Sequence, residues 1–199
     1  MKKIFLFLFL SMLTNGFLMA QSFSGGLLAG VVASQVDGDN FSGYNKAGFS
    51  GGGYVNLTIR EKWALQMEME FIMKGSHASD SMNNVYRLNT NYIEIPLMLH
   101  YNFYKKYIVQ FGLSSATLIS HKETLNDQDM TPYYPKLKKQ NVSLIVGLRY
   151  PINEHLTFDF RAGNSIQSIR SGTMSGYINR FGKYGQYHNM LVLGFSYKI

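Results

Sequence analysis

The chain has 199 residues, 46% of them hydrophobic, with 14 Tyr, 14 Phe and 19 Gly against 4 Pro and no Cys, and a formal net charge of +7. The length predicts one domain. The missing cysteines exclude disulfides, a lipid-modified cysteine anchor and any thiolate nucleophile or metal site, and a modest basic excess does not by itself call for nucleic acid.

Abundant aromatic and aliphatic residues combined with a mean hydropathy of −0.09 are what alternating apolar and polar positions produce, as in a barrel wall. At the N-terminus, Met1-Lys2-Lys3 is a positive n-region, Ile4 to Leu13 is an apolar run broken only by Ser11, and Leu18-Met19-Ala20 precedes Gln21 at a small-residue cleavage site. Residues 1–20 read as a signal peptide and 21–199 as the mature domain. No stretch reaches the roughly 20 apolar residues of a membrane-spanning helix.

A period of two then runs through the mature chain. It predicts strands over Ser24 to Val36, Ala47 to Ile59, Trp63 to Gly75, Tyr86 to Phe103, Tyr107 to Ser120, Asn141 to Pro151, His155 to Ile169 and His188 to Ile199. Each exceeds the roughly 9 residues a tilted strand needs to cross the hydrocarbon layer. The connections alternate in length. Arg60-Glu61-Lys62, Tyr104-Lys105-Lys106 and Ile152-Asn153-Glu154 are tight turns, whereas Asp37 to Lys46, Ser76 to Val85, His121 to Gln140 and Ser171 to Tyr187 are long and polar. This predicts an all-β, eight-stranded antiparallel transmembrane β-barrel of the bacterial outer membrane, with short periplasmic turns, long extracellular loops and both ends periplasmic.

Alternation also assigns faces. Trp63, Leu65, Met67, Met69, Phe71 and Met73 oppose Gln66, Glu68, Glu70 and Lys74; Ile93, Ile95, Leu97 and Leu99 oppose Glu94 and His100. Leu156, Phe158 and Phe160 oppose Thr157, Asp159 and Arg161, and Leu191, Leu193, Phe195 and Tyr197 oppose Met190, Val192, Ser196 and Lys198. The apolar sets are expected to meet lipid, with Trp63, Tyr101, Phe103, Tyr107, Tyr150 and Tyr197 as a periplasmic girdle. The glycine-rich first two strands, with Gly25-Gly26 and Gly51-Gly52-Gly53, do not phase from sequence. A soluble carrier of lipocalin type would need the opposite polarity, apolar inside and polar outside.

On this phasing the inward charges are Glu68, Glu70, Glu94 and Asp159 against Lys74, Arg149, Arg161 and Lys198, a balanced set. Charges in so narrow an interior are tolerated when paired, and eight strands leave room for side chains only. A plugged lumen is expected; a gated proton or ion path is the functional alternative.

Enzyme chemistry has little support. Ser120, His121 and Glu123 sit at the level where outer-membrane lipid A hydrolases place such groups, but neighbouring strand residues point to opposite faces. Asp37-Gly38-Asp39-Asn40 lacks the spacing of a calcium loop and reads as an Asx or glycine turn. The five histidines show no zinc spacing. No cofactor, metal or catalytic residue is expected, and an outer-membrane lipid A-modifying hydrolase or acyltransferase stays as the alternative function. The loops are the expected binding surfaces. Pro132-Tyr133-Tyr134-Pro135 with Lys136, Lys138 and Lys139, and Tyr177, Arg180, Phe181, Lys183, Tyr184 and Tyr187, suit lipopolysaccharide phosphates or an anionic partner.

Gly26 to Asp39, Gly43-Tyr44-Asn45-Lys46-Ala47-Gly48-Phe49, Glu68 through Gly75-Ser76, and Tyr92-Ile93-Glu94-Ile95-Pro96-Leu97 resemble the PorT-like outer-membrane barrels of the Bacteroidetes. The resemblance covers most of the mature chain and is most specific in its first 80 or so residues. It implies the fold and the outer-membrane location, and through the founding member a link to type IX protein secretion. It carries no catalytic residue. The expected function is a non-enzymatic outer-membrane barrel with a structural, secretion-accessory or surface-binding role. Its expected partners are outer-membrane lipid, lipopolysaccharide and possible secretion-machinery or surface proteins, with no nucleic acid.

Overall fold

A computed structural model of the protein describes residues 22–39, 41, 43–79, 84–104, 106–172 and 177–199. The expected signal segment and Lys105 of the second tight turn lie outside these residues. The strands are β1 (Phe23–Asp37), β2 (Lys46–Arg60), β3 (Trp63–Ser79), β4 (Val85–Tyr104), β5 (Tyr107–Leu125), β6 (Gln128–Asp129), β7 (Gln140–Pro151), β8 (Leu156–Ser165), β9 (Arg170–Ser171), β10 (Ile178–Arg180) and β11 (Lys183–Lys198).

Eight of them form the wall. The order β1-β2-β3-β4-β5-β7-β8-β11 is antiparallel throughout, and β11 returns to β1 from Gly26↔Lys198 to Asp37↔Tyr187. A closed ring leaves no strand edge in hydrocarbon, where water cannot satisfy backbone N–H and C=O groups. Among the described residues no helix is long and apolar enough to cross a membrane.

The two faces have opposite chemistry. Along β3, Gln66, Glu68 and Glu70 are 0%, 1% and 5% exposed while the intervening Met67 and Met69 are 56% and 62% exposed. The wall is polar inside and apolar outside, which excludes the soluble-carrier arrangement. The two strands that sequence did not phase alternate in the same way, though with apolar as well as polar residues inside: Leu27, Val31, Phe49 and Val55 are exposed, and Val32, Ser34, Val36 and Ser50 are buried. At the short-turn end Trp63 packs on Tyr101 with ring centroids 4.5 Å apart and Tyr107 on Tyr150 at 5.5 Å, paired aromatics of a membrane-interface girdle.

The wall differs from the expectation at its loop end. β3 continues to Ser79 and β5 to Leu125, and β11 begins at Lys183, five residues before His188. The polar residues of these extensions were read as loop, yet they stay on the ladder, as in Thr90↔His121, Leu88↔Glu123 and Tyr86↔Leu125. Two tight hairpins cap the extensions. Asn126 and Asp127 (φ 52° and 63°) join β5 to β6, and Phe181 and Gly182 (φ 51° and 74°) join β10 to β11. Positive φ at both central residues matches the twist of the paired strands. Conversely, β8 ends at Ser165 instead of Ile169, and Ile169 turns into the interior, fully buried beside Val36, Tyr86, Leu88 and Leu137. A second apolar cluster, including Val32, Ile72, Tyr92, Met98, Ile145 and Met190, fills part of the lumen.

Gly75 on β3 combines φ +150° with contact so close that an added Cβ would collide with the Leu88 carbonyl oxygen, and its amide donates to Ser34 Oγ at 3.0 Å. Gly75→Ala should therefore unfold at lower temperature in detergent, by an amount corresponding to about 1–3 kcal/mol. Heat-modifiable migration on gels, scored across a temperature series, reads the shift; an unchanged midpoint would contradict the strained geometry.

Candidate functional site

The inward face of the turn-proximal half holds a hydrogen-bonded charge cluster contributed by strands on opposite sides of the ring. Arg161 on β8 reaches Glu68 on β3 with two bonds, Nη1 to Oε2 at 2.6 Å and Nη2 to Oε1 at 2.8 Å. This is the fork geometry in which guanidinium and carboxylate fit best. Asp159 takes Gln110 Nε2 at 3.1 Å and Ser196 Oγ at 2.9 Å, and Arg149 Nε lies 2.8 Å from its Oδ1 as an ion pair. Arg149 also donates to Ser196 Oγ at 2.7 Å and Gln66 Oε1 at 3.0 Å. Gln66 Nε2 closes the circuit on Glu68 at 2.6 Å.

Nearer the loop end a second pair joins Lys74 to Glu94, with Ser114 donating to Glu94 and the ammonium 5.6 Å from the Tyr92 ring centroid. Glu70 is buried directly across the ladder from Glu94. Of the inward charges expected from sequence, Glu68, Glu70, Glu94, Asp159, Lys74, Arg149 and Arg161 are buried. Lys198 is corrected: it is exposed where β11 runs out, past the level at which the lumen is enclosed. The neutral partners Gln66, Gln110, Ser114 and Ser196 were not singled out from sequence as members of the cluster. Their inward register was the available signal, since a carboxylate has more acceptor sites than one cation fills.

A third charged group closes the interior towards the loops. Arg170 Nη2 donates to Glu123 Oε2 at 2.7 Å, Tyr86 Oη donates to Glu123 Oε1 at 2.5 Å, Arg170 Nη1 donates to Gln186 Oε1 at 3.2 Å, and Gln186 Nε2 donates to the Gly38 carbonyl at 3.1 Å. Glu123 is thus held by Arg170 and Tyr86. Ser120 pairs with Asn91 and His121 with Thr90, so their side chains lie on opposite faces of β5.

Above this group opens a cavity of about 430 Å³, lined by Asp39, Phe41, Tyr133, Tyr134 and Tyr177 among others. Phe41 stacks on Tyr86 at 5.5 Å, Tyr134 meets Tyr86 edge-on at 6.3 Å, and the Arg170 guanidinium lies 5.7 Å from the Tyr134 ring centroid. Asp39 closes an Asx turn, its Oδ1 accepting the Phe41 amide at 3.0 Å, while buried Oδ2 has no hydrogen-bond partner. Burial raises this carboxyl above its ordinary pKa, against the lowering effects of Ser76 and the Phe41 amide.

Arg161→Ala strands the Glu68 carboxylate in a buried site. Removing one partner of a buried pair costs about 3–5 kcal/mol where no water enters, so the variant's unfolding midpoint in detergent should fall clearly below the parent's. Equal midpoints by circular-dichroism melting would show that the pair is energetically idle.

Comparison with known proteins places the architecture. Residues 19–170 match the family model described as outer membrane protein beta-barrel domain. No curated protein sequence matches the chain. Among solved structures, Neisserial surface protein A (NspA) aligns over 91% of this chain and 100% of its own with a TM-score of 0.54 at 13% identity. Ail, the attachment invasion locus protein of Yersinia pestis, aligns over 88% and 98% with a TM-score of 0.48 at 11% identity. OprG of Pseudomonas aeruginosa aligns over 90% and 95%, with a TM-score of 0.41 at 13% identity. At these identities the likeness concerns the fold. With a family model matched over most of its length and a closed eight-stranded ring that is apolar outside, the chain belongs to the outer membrane protein beta-barrel domain family.

Proposed function

We propose that this protein is a non-enzymatic barrel that acts by binding at the cell surface and is not a diffusion channel. The observation that carries this reading is the filled lumen. Of the side chains that would line a pore, Arg161 bonds Glu68 and Arg149 bonds Gln66 across it, Asp159 pairs with Arg149 from the neighbouring strand, and an apolar cluster fills part of the remaining interior. The leader-like residues 1–20, cleaved after Ala20, would deliver the mature chain from Gln21 onward.

The lipid A hydrolase or acyltransferase alternative needs a nucleophile and base within reach of each other, and the opposed faces of Ser120 and His121 argue against it. The resemblance of Gly26 to Asp39 and Tyr92 to Leu97 to PorT-like barrels of the Bacteroidetes supports a second reading, a secretion-accessory role of type IX kind. Secretion-machinery or surface proteins would then be its partners.

For the outer rim we propose outer-membrane lipid, and lipopolysaccharide phosphate in particular. Lys138 and Lys183 border a groove shared with Val142, Ile166 and Phe181. Burial and the charge of Lys183 lower the Lys138 pKa, so a phosphate between the two would relieve their repulsion while an acyl chain lay on the apolar side. Native mass spectrometry should retain diphosphorylated lipid A better than phosphatidylethanolamine. The preference should shrink several-fold in Lys138→Gln/Lys183→Gln.

Planar bilayers test the main reading. The unmutated barrel should conduct near zero and Arg161→Ala measurably more; steady, large single-channel currents from the parent would overturn the closed-lumen proposal.

A further inference from the structure

We infer that the cavity at the loop end is a saccharide-binding site, in which a sugar ring stacks on the exposed tyrosine face and donates a hydroxyl to Asp39. The inference deepens, and rests on, the reading of the barrel as a surface-binding protein.

Shape and rigidity come first. About 430 Å³ falls within the roughly 300–1,000 Å³ of small-ligand sites. The floor is fixed before any ligand arrives, because Tyr86, Glu123, Arg170, Gln186 and the Gly38 carbonyl form one continuous hydrogen-bonded chain. Such prior fixing lowers the entropy cost of binding. Above it, Tyr133 is 79% exposed between Pro132 and Pro135, whose rings restrict the backbone. A large apolar face held out at the mouth of a cavity has a C–H-rich surface as its natural complement.

Charge selects among ligands with an apolar face. A cation would suit an aromatic cage, but Arg170 already lies over the Tyr134 ring and Glu123 is neutralised by that same arginine. A second cation would meet a like charge and no free carboxylate except Asp39, whose surroundings disfavour the ionised form. An anion would face the Asp39 carboxyl and find Arg170 already paired with Glu123. Among the described residues, two buried side-chain polar atoms at the cavity make no hydrogen bond, Asp39 Oδ2 and Arg170 Nε. They are one acceptor and one donor beside aromatic rings, and a neutral ligand bearing several hydroxyls satisfies both. Leaving such groups unpaired is costly, so a matched hydroxyl gains more here than at an open surface.

The test uses the full chain folded in detergent micelles, with folding checked by heat-modifiable migration. It is screened on an array of neutral oligosaccharides, and the best binder is titrated by calorimetry. The parent should bind at least one neutral saccharide. Tyr133→Ala, which removes an exposed ring, and Asp39→Asn, which turns the free acceptor into a donor while keeping the turn oxygen, should each weaken it ten-fold or more. Glu154→Gln, on the opposite end of the barrel, should leave it unchanged. No saccharide bound by the folded parent, binding insensitive to both cavity variants, or preference for choline or an aromatic dipeptide would each sink the proposal. Bilayer conductance separates the two readings. A conducting barrel that binds the sugar overturns the closed lumen alone, and a silent barrel that binds none overturns this site alone.

Discussion

A strand inside hydrocarbon has no water to satisfy its amides and carbonyls, so every other feature of this protein follows from closing the ring between β1 and β11. That seam runs the length of both strands. Small residues let the two strands approach: Gly30 and Gly194 face each other across it, and a Cβ on either would come within 2.6–2.9 Å of a backbone oxygen of the facing strand. Without the seam β1 and β11 would each present an unpaired edge, the configuration that lipid does not tolerate. With it, outward positions are free to be Leu, Met, Phe and Val, because lipid asks nothing of them but apolarity.

Closure at eight strands decides what happens inside. The interior is about as wide as two side chains meeting, so a charge on β3 is within reach of one on β8, and Glu68 and Arg161 meet although 93 residues separate them. Desolvation makes either group alone expensive; their shared fork and the amide and hydroxyl partners around them offset that cost. Glutamines 66 and 110 matter here as much as the ions do. They take up acceptor and donor capacity that one-to-one charge pairing leaves over. Gln66 links the Arg161–Glu68 pair to the Arg149–Asp159 pair, donating to Glu68 at 2.6 Å and accepting from Arg149 at 3.0 Å, and Gln110 donates to Asp159 at 3.1 Å.

How much of this was legible in the sequence depends on which constraint wrote each residue. Lipid imposes a strict period of two, so the wall strands, the outward Met67, Met69, Leu193 and Phe195, and the inward Glu68 and Arg161 were readable one by one. β1 and β2 were readable as strands but not in their faces, because glycine carries no polarity to phase with; only the ladder fixes Gly52 inward and Gly51 outward. Strand ends at the loop side were misread for a related reason. Beyond the membrane the outer face no longer needs to be apolar, so His121 to Leu125 lose the alternation while keeping the backbone pairing. Lys198 was misplaced because alternation gives the face but not the depth. The Arg170–Glu123 pair was invisible, since Arg170 lies in a segment that leaves the wall and only tertiary folding returns it to β5.

The unequal strand lengths also explain why the loop end can carry a formed cavity at all. β4 and β5 have 20 and 19 residues, about twice the 9–11 that a tilted strand spends in hydrocarbon, whereas β8 has 10. The ring is therefore tall on one side and low on the other. The tall hairpin keeps its β4–β5 ladder as far as Tyr86↔Leu125, a wall against which a segment from the low side can lean. Residues 166–170 do so, burying Ile169 among Tyr86 and Leu88 and setting Arg170 against Glu123. Long loops on a flat-topped barrel would have to supply their own order and would pay for it in conformational entropy. Here the order is borrowed from a ladder that the membrane already required, which is why aromatic rings from Phe41, Tyr134 and Tyr177 line one cavity with Tyr86 of β4 instead of dispersing over the surface.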